Sequence, residues 1–162
     1  MNKRQKALLT ESILVLAVTG GTVVGLIQIK DYINRSEALR AMRQLGDHIR
    51  AYRTEHGSLP PESFLRGIRD RLEGAARLGA VKYRALYIGL DSPDETILAY
   101  SVRRYPTSFL PDGCVVLRLN GAVEWMRMPP FIVLFTTQRV PGEPNLPKES
   151  PSSSDRPSCE RL

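Results

Sequence analysis

The feature that most constrains this chain is an apolar run near its start, residues 7–29, which reads ALLTESILVLAVTGGTVVGLIQI. A helix of this length spans roughly 34 Å, because each residue of an α-helix rises about 1.5 Å. That is enough to cross a hydrocarbon core of about 30 Å, so we predict a transmembrane helix. The alternative is a cleaved signal peptide with small residues before Gly20. Hydrophobicity resumes at Val23, which favours an uncleaved anchor.

The run contains one acidic residue, Glu11. A charged side chain near the bilayer centre costs about 2.5–3.5 kcal/mol on membrane-insertion scales. Two interpretations are open. Either Glu11 lies about 6 Å inside the boundary and reaches the headgroups, or its carboxylate pairs with a charge on a neighbouring molecule.

The residues that flank the run predict its orientation. Lys3, Arg4 and Lys6 precede it without an acidic residue, whereas Lys30 and Asp31 follow it. Because the more basic flank stays in the cytoplasm, residues 1–6 form a cytoplasmic basic tip, residues 7–29 the transmembrane helix, and everything that follows lies outside the cytoplasm.

The formal net charge of +6 does not indicate nucleic-acid binding. The basic residues of the helix after the anchor alternate with acidic ones, which is typical of a solvated face, and no strip combines aromatic and basic residues. The chain has two cysteines, Cys114 and Cys159, which could pair outside the cytoplasm.

The predicted helix continues beyond the membrane through residues 30–56, because no proline interrupts the chain before Pro60. Its apolar residues recur every three or four positions and form one stripe: Leu39, Met42, Leu45, Ile49 and Tyr52. Gly57 and the two prolines Pro60 and Pro61 predict its end. We therefore expect a rod of about 50 residues, roughly 75 Å long, half in lipid and half packed on a head domain.

For residues 57–137 the sequence pattern predicts an α+β head domain with an antiparallel sheet. A short helix is expected between Pro60 and Ala80. Strands are expected at Tyr83–Leu90, Thr96–Val102, Cys114–Leu119 and Ala122–Arg127, and Phe131–Phe135 could add another. Residues 138–162 contain mainly proline, serine and charge, so we expect a disordered tail.

Asn120-Gly121 is a strong hairpin signal, since both residues tolerate positive φ. A two-residue turn would pair Leu117 with Glu124 and Val115 with Met126. Val115, Leu117 and Leu119 would then face the rod, and Val116 would share the opposite face with Trp125.

The sequence indicates no enzyme, and we expect no catalytic residue, cofactor, metal site or small-molecule substrate. It has no Gly-x-Ser-x-Gly, P-loop or Cys-x-x-Cys pattern. His48 and His56 are about 12 Å apart along one helix and cannot share a metal ion. The acidic turn Asp91–Glu95 lacks the glycine-spaced ligand loop that a Ca²⁺ site needs.

Two stretches resemble known proteins. ALLTESILVLAV, followed by DYINRSEALRAMRQLGDHIRAYRTEHGSLPP, resembles the N-terminal region of type IV pilins and type II secretion pseudopilins, which have Glu at the fifth mature position and a Gly-x-x-Pro end to the helix. ILAYSVRRYPTSFLPDGCVVLRLNGAVEWM resembles the C-terminal part of prepilin-like proteins. The positions that carry this hairpin motif are Asp112, Gly113, Asn120, Gly121, Glu124 and Trp125.

The resemblance implies a pilin-like fold and a structural, non-catalytic subunit of a type II secretion or type IV pilus-like assembly. It implies a single span in a bacterial inner membrane, a cytoplasmic N-terminus, a periplasmic head, and association with itself or with other pilin-like subunits. It also implies that the Glu11 carboxylate pairs with the amino terminus of a neighbouring subunit.

The chain departs from the family pattern at Lys6, which stands where the prepilin peptidase expects glycine if Ala7 is the first mature residue. Lys6, or the basic tip of a neighbour, would then have to pair with Glu11. Asn120 and Ala122 also replace the usual Asp and His, so we interpret the polar hairpin residues as turn and surface residues. A non-polymerising anchored binding protein, or a secreted module with its leader removed, stay open as alternatives.

Overall fold

A single α-helix, α1, runs from Lys3 to His56 in the computed structural model, which describes residues 3–69, 71–105 and 109–144. Its 54 residues span about 81 Å. Gly57 ends it at a φ of 64°, and the Gly57 N–H donates to the Arg53 carbonyl at 2.9 Å. The predicted continuous helix across residues 30–56 and its end at Gly57 are therefore confirmed.

The remaining elements form a small head. They are α2 (Glu62–Arg69), α3 (Ala75–Leu78), β1 (Val81–Tyr83), β2 (Ile97–Arg103), β3 (Gly113–Arg118), β4 (Val123–Arg127) and α4 (Met128–Thr137). The four strands form one antiparallel sheet in the order β1-β2-β3-β4. The fold class is thus α+β, with a long N-terminal helix packed on an antiparallel sheet, as the sequence predicted.

The second half of α1 lies across one face of the sheet. Its buried residues recur at helical spacing: Ala38, Ala41, Met42, Leu45 and Ile49. They pack on Val115, Leu117 and Leu119, the face that we expected to meet the rod. At Gly46 the helix comes close to β3, since an added Cβ would lie 2.9 Å from Leu117 Cδ1. A glycine at this point allows the helix to settle into the sheet.

The β3–β4 hairpin differs from the predicted register by one residue. Leu117 pairs with Val123 and Val115 with Trp125, not with Glu124 and Met126. The loop has three residues rather than two: Gly121 adopts a φ of 85° and its N–H donates to the Arg118 carbonyl at 2.9 Å. Because a one-residue shift turns every side chain to the other face, Trp125 lies on the rod side and not beside Val116.

Neighbouring backbone explains the longer loop. The Leu119 N–H donates to the Thr96 carbonyl at 2.9 Å, and the Asn120 N–H donates to the Asp94 carbonyl at 3.0 Å. The N–H groups of Leu119 and Asn120 therefore bond to carbonyls of the turn before β2 and not to β4. The ladder between β3 and β4 therefore stops before Leu119, and the local hairpin signal alone does not contain this constraint.

The segment Phe131–Phe135 forms a helix, not the strand we expected. Pro129 and Pro130 lie in the first turn of α4, where a missing N–H breaks no intrahelical bond. Phe131 and Phe135 are four positions apart and share one helix face, which covers the sheet face opposite α1. Their ring centroids lie 5.1 and 5.3 Å from that of Tyr100. A short apolar run is compatible with either a helix or a strand. Here the packing of the run on this sheet face favours the helix.

The first strand that we expected, Tyr83–Leu90, is wrong, because β1 covers Val81–Tyr83 and residues 84–90 form turns and irregular backbone. Pairing with β2 covers Val81–Tyr83, and the chain then turns at Arg84. Arg84 is buried, 2% exposed, and its guanidinium donates to the carbonyls of Ile97 and Gln138. It also forms a two-pronged ion pair with Glu143, with N–O distances of 2.5 and 2.9 Å. Residues 138–144, which we assigned to the tail, therefore pack on the head, and residues 145–162 lie outside the described part.

Replacement of Phe131 by alanine should lower the free energy of unfolding by about 3–5 kcal/mol, because it opens a cavity between α4 and the sheet. Val133→Ala on the same helix is the matched control, since Val133 is 68% exposed. It should change stability by less than about 0.5 kcal/mol. Urea unfolding of the full chain in detergent measures both. Equal effects of the two variants would contradict the helical packing of α4.

Candidate membrane anchor and hairpin motif

From Glu11 to Ile29, α1 is mainly apolar and mostly exposed. Its large side chains Ile13, Leu14, Val15, Leu16 and Val18 are 61–72% exposed. The most apolar 18-residue window has a mean hydropathy of 2.0, and none of it is buried against the described part of the chain. By length and composition this helix could span a membrane. One face of the second half of the same helix is buried against the head, so the change in exposure along α1 follows the change in sequence.

The two predicted assembly residues lie at the start of this helix. Glu11 is exposed. Lys6 belongs to α1, and its side chain lies outside the described part. Five positions separate the two, whereas side chains on one helix meet when they are three or four apart. The spacing therefore does not favour a contact between Glu11 and Lys6 of the same helix.

At the start of β3, the hairpin motif contains a carboxylate that accepts a hydrogen bond and a glycine that lies close to the neighbouring strand β4. Asp112 Oδ1 accepts a hydrogen bond from the Tyr105 N–H at 2.7 Å. An added Cβ at Gly113 would lie 2.5 Å from the Met126 carbonyl oxygen and 2.7 Å from Trp125 Cζ2. Glycine at 113 thus leaves room for the indole ring on the neighbouring strand, and this explains why the two residue types occur together.

At the other end of β3, the motif forms the loop that contacts α1. Asn120 Oδ1 accepts from the Ala122 N–H at 2.9 Å, and the Asn120 carbonyl accepts from Arg50 Nη2 at 3.4 Å. The Arg50 guanidinium lies where a side chain at Gly121 would be. The positive φ favours glycine at position 121, and a side chain there would displace the Arg50 guanidinium.

Glu124 and Trp125 point to opposite faces of the sheet. Glu124 Oε1 accepts from Arg118 Nη2 at 2.5 Å, and Arg118 Nη1 also pairs with Glu95 Oε2 at 3.2 Å. Trp125 lies on the rod side, with the Arg35 guanidinium 4.4 Å from its ring centroid. The motif residues therefore make the contacts of turn and sheet residues, and they attach the hairpin to α1 at Arg35 and Arg50.

The other polar candidates lie apart from one another. His48 and His56 are both exposed, and the His56 ring stacks on Tyr52 at 4.0 Å. From the acidic turn, Glu95 pairs with Arg118. Within the described part of the chain, no group of three or more His, Cys, Asp or Glu residues lies close enough to hold a metal ion.

Two arginine sites escaped the sequence reasoning. One is the buried Arg84–Glu143 pair, for which the only signal was a charged residue inside an otherwise apolar segment. The other is a cleft at the end of β2, lined by Arg77 of α3 and by the adjacent Arg103 and Arg104. Arg77 and the other two arginines are too far apart along the chain to give a local pattern.

Comparisons of the chain with protein-family models, with curated proteins and with solved structures return no match. The class that the fold defines is an α+β protein with an apolar N-terminal helix long enough to cross a membrane. A long apolar helix on a small antiparallel sheet is compatible with a pilin-like architecture.

Cys114 is fully buried in β3, with its Sγ 3.5 Å from Met128 Sδ, and burial raises the pKa of its thiol to about 12. Cys159 lies outside the described residues. In a Cys159→Ser variant at about pH 8, roughly one thiol in ten thousand would be ionised, so iodoacetamide should not label the native protein. Labelling should become fast in denaturant. Fast labelling without denaturant would contradict the buried position.

Proposed function

We propose that this chain is a single-pass, membrane-anchored, pilin-like structural subunit of a type II secretion or type IV pilus-like assembly, without catalytic activity. The observation that carries the proposal is the contrast along α1. Its second half packs one face on a folded head, whereas its apolar first half, from Glu11 onward, has no cover from the described part of the chain.

The uncovered half needs an apolar environment. Complete burial of one Val, Leu or Ile side chain contributes about 1.5–3 kcal/mol. Five such residues between Ile13 and Val18, each more than half exposed, therefore favour removal from water by on the order of 5–10 kcal/mol. Lipid tails or the apolar helices of neighbouring subunits would both provide that environment.

The basic N-terminal tip supports a cytoplasmic N-terminus, with the head outside the cytoplasm. In the proposed arrangement the membrane is a bacterial inner membrane and the head is periplasmic. Assembly then takes place between parallel α1 helices, with the Glu11 carboxylate facing a positive charge of the next subunit. Such pairing offsets the cost of removing both charges from water.

The second candidate is an anchored extracytoplasmic binding protein that does not polymerise. Lys6, which replaces the glycine of the processing site, favours it. Mass spectrometry of the N-terminus of the native protein distinguishes the candidates. A chain that starts at Ala7 supports processing and assembly, an intact Met1 supports an anchor alone, and a start near Gly20 indicates a secreted module.

The full chain should float with lipid vesicles in a density gradient, and alkaline carbonate should not extract it. The physical reason is that the apolar first half of α1 remains in the bilayer when surface charge contacts are disrupted. A chain that stays at the bottom of the gradient would contradict the membrane anchor and, with it, both membrane-bound candidates.

Glu11→Gln should weaken lateral association in the membrane by about five- to thirtyfold, because a polar or ionic contact between membrane helices is worth about 1–2 kcal/mol. The measurement is disulfide crosslinking of Val15→Cys in a Cys114→Ser, Cys159→Ser background, since Val15 is exposed on α1. Glu11→Asp, which keeps the charge, is the matched control and should crosslink like the parent. Unchanged crosslinking in Glu11→Gln would contradict the assembly role of Glu11 and favour the anchor that does not polymerise.

A further inference from the structure

A polar cleft of about 160 Å³ lies where α1 leaves its apolar segment. It lies between α1, the short helix α3 and the end of β2. Six of its lining residues matter here: Asp31 and Asn34 from α1, Arg77 from α3, and Arg103, Arg104 and Tyr105 from the end of β2.

Its guanidinium groups are only partly paired. Arg103 Nη2 is buried and has no hydrogen-bond acceptor among the described residues. Burial lowers the pKa of Arg103, the neighbouring Tyr105 acts in the opposite direction, and the charge of Arg77 lowers the pKa further. A bound anion would relieve both the missing acceptor and the repulsion between the arginines.

The charges around the cleft leave an excess of positive charge. Arg77 Nε pairs with Glu37 Oε2 at 3.3 Å, and both side chains remain about half exposed. Arg104 is exposed and has no ion-pair partner in the described part of the chain. With the other charges that act on Tyr105 included, four arginines (Arg35, Arg77, Arg103 and Arg104) stand against three carboxylates (Asp31, Glu37 and Asp112). Guanidinium groups suit phosphate, because their planar donors can bind two of its oxygens.

The position of the cleft points to the source of such an anion. Along α1, Asp31 and Asn34 lie about 3 and 8 Å beyond Ile29, the last residue of the apolar run. The headgroup layer on each side of a bilayer is about 5–8 Å thick. If the apolar run fills the hydrocarbon core, the cleft lies at the level of the lipid phosphates. Tyr32, which is 67% exposed, also matches the aromatic side chains common at that level.

The direction of the sheet supports the same placement. β3 runs antiparallel to α1. The loop after β3 contacts Arg50, whereas Trp125, which pairs with Val115 near the start of β3, contacts Arg35. The connection from β2 to β3 therefore lies at the membrane end of the head. On this connection Phe109 is 85% exposed. An uncovered aromatic ring on the same connection favours a lipid over a free phosphate ion.

We propose that this cleft binds the phosphate of an anionic phospholipid headgroup, held by Arg103 and Arg104, with Phe109 in the interfacial layer. The proposal depends on the membrane anchoring proposed above. It adds that the head contacts a lipid headgroup where α1 leaves the membrane.

The test uses the full chain reconstituted in vesicles of phosphatidylcholine, alone or with up to about 30% phosphatidylglycerol. Flotation comes first, and a chain that does not float contradicts the proposed anchor, not the cleft. The readout is the fluorescence of Trp125, the only tryptophan, whose ring lies 5.9 Å from that of Tyr105. A change in emission that saturates with the phosphatidylglycerol fraction is expected.

The variant Arg103→Gln/Arg104→Gln should require at least about fivefold more phosphatidylglycerol for the same change. Arg104→Gln alone should require about two- to threefold more phosphatidylglycerol. Because Arg104 is exposed, this variant should fold normally, and it keeps the test valid if the double variant misfolds. The matched control Arg69→Gln/Arg71→Gln removes two exposed arginines outside the cleft and should respond like the parent.

Three results would overturn the proposal. One is an equal response to both lipid compositions, and another is an equal loss of response in the cleft variants and the control. The third is inorganic phosphate that produces the same change in phosphatidylcholine vesicles, because it would identify a free phosphate ion, not a lipid, as the ligand.

Discussion

The packing of α1 on the inner face of β3 is the contact on which the other features of this protein depend. Ala38, Met42 and Leu45 are almost completely buried against the sheet, and Gly46 allows the helix to approach Leu117 closely. This contact holds the head at a constant height along the rod. Since the apolar half of α1 ends at Ile29, the same contact also sets the distance between the sheet and any membrane that the helix crosses.

The hairpin motif has a structural purpose that its polar residues do not suggest. Gly113 provides room for the Trp125 ring, Gly121 provides room for the Arg50 side chain, and Arg35 lies over Trp125 at 4.4 Å. Two arginines of α1 thus contact the hairpin near its two ends. These contacts show that β3 runs antiparallel to the rod, and this direction brings the β2–β3 connection and its arginine cleft to the membrane end in the proposed arrangement.

The outer layer of the head follows a different principle. Phe131 and Phe135 of α4 cover the second face of the sheet. Residues 138–144 follow α4 and place Glu143 against Arg84. An ion pair so deeply buried is costly to remove from water, and the Arg84 guanidinium offsets part of that cost with bonds to two backbone carbonyls. Both strands and helix in this region depend on partners distant in sequence.

Local patterns in the sequence were sufficient for the long helix, its buried stripe, its end at Gly57, three of the strands and the face of β3 that meets α1. Each depends on spacing or on a residue with a strong backbone preference, so a short window contains the information. Tertiary structure decided the hairpin register, the helical form of 131–135, the early end of β1 and the position of Glu143. In each case backbone donors, a sheet face or a buried charge required a partner from elsewhere in the chain. The arginine cleft arises in the same way, because its charges come together only when α1, α3 and β2 pack against one another.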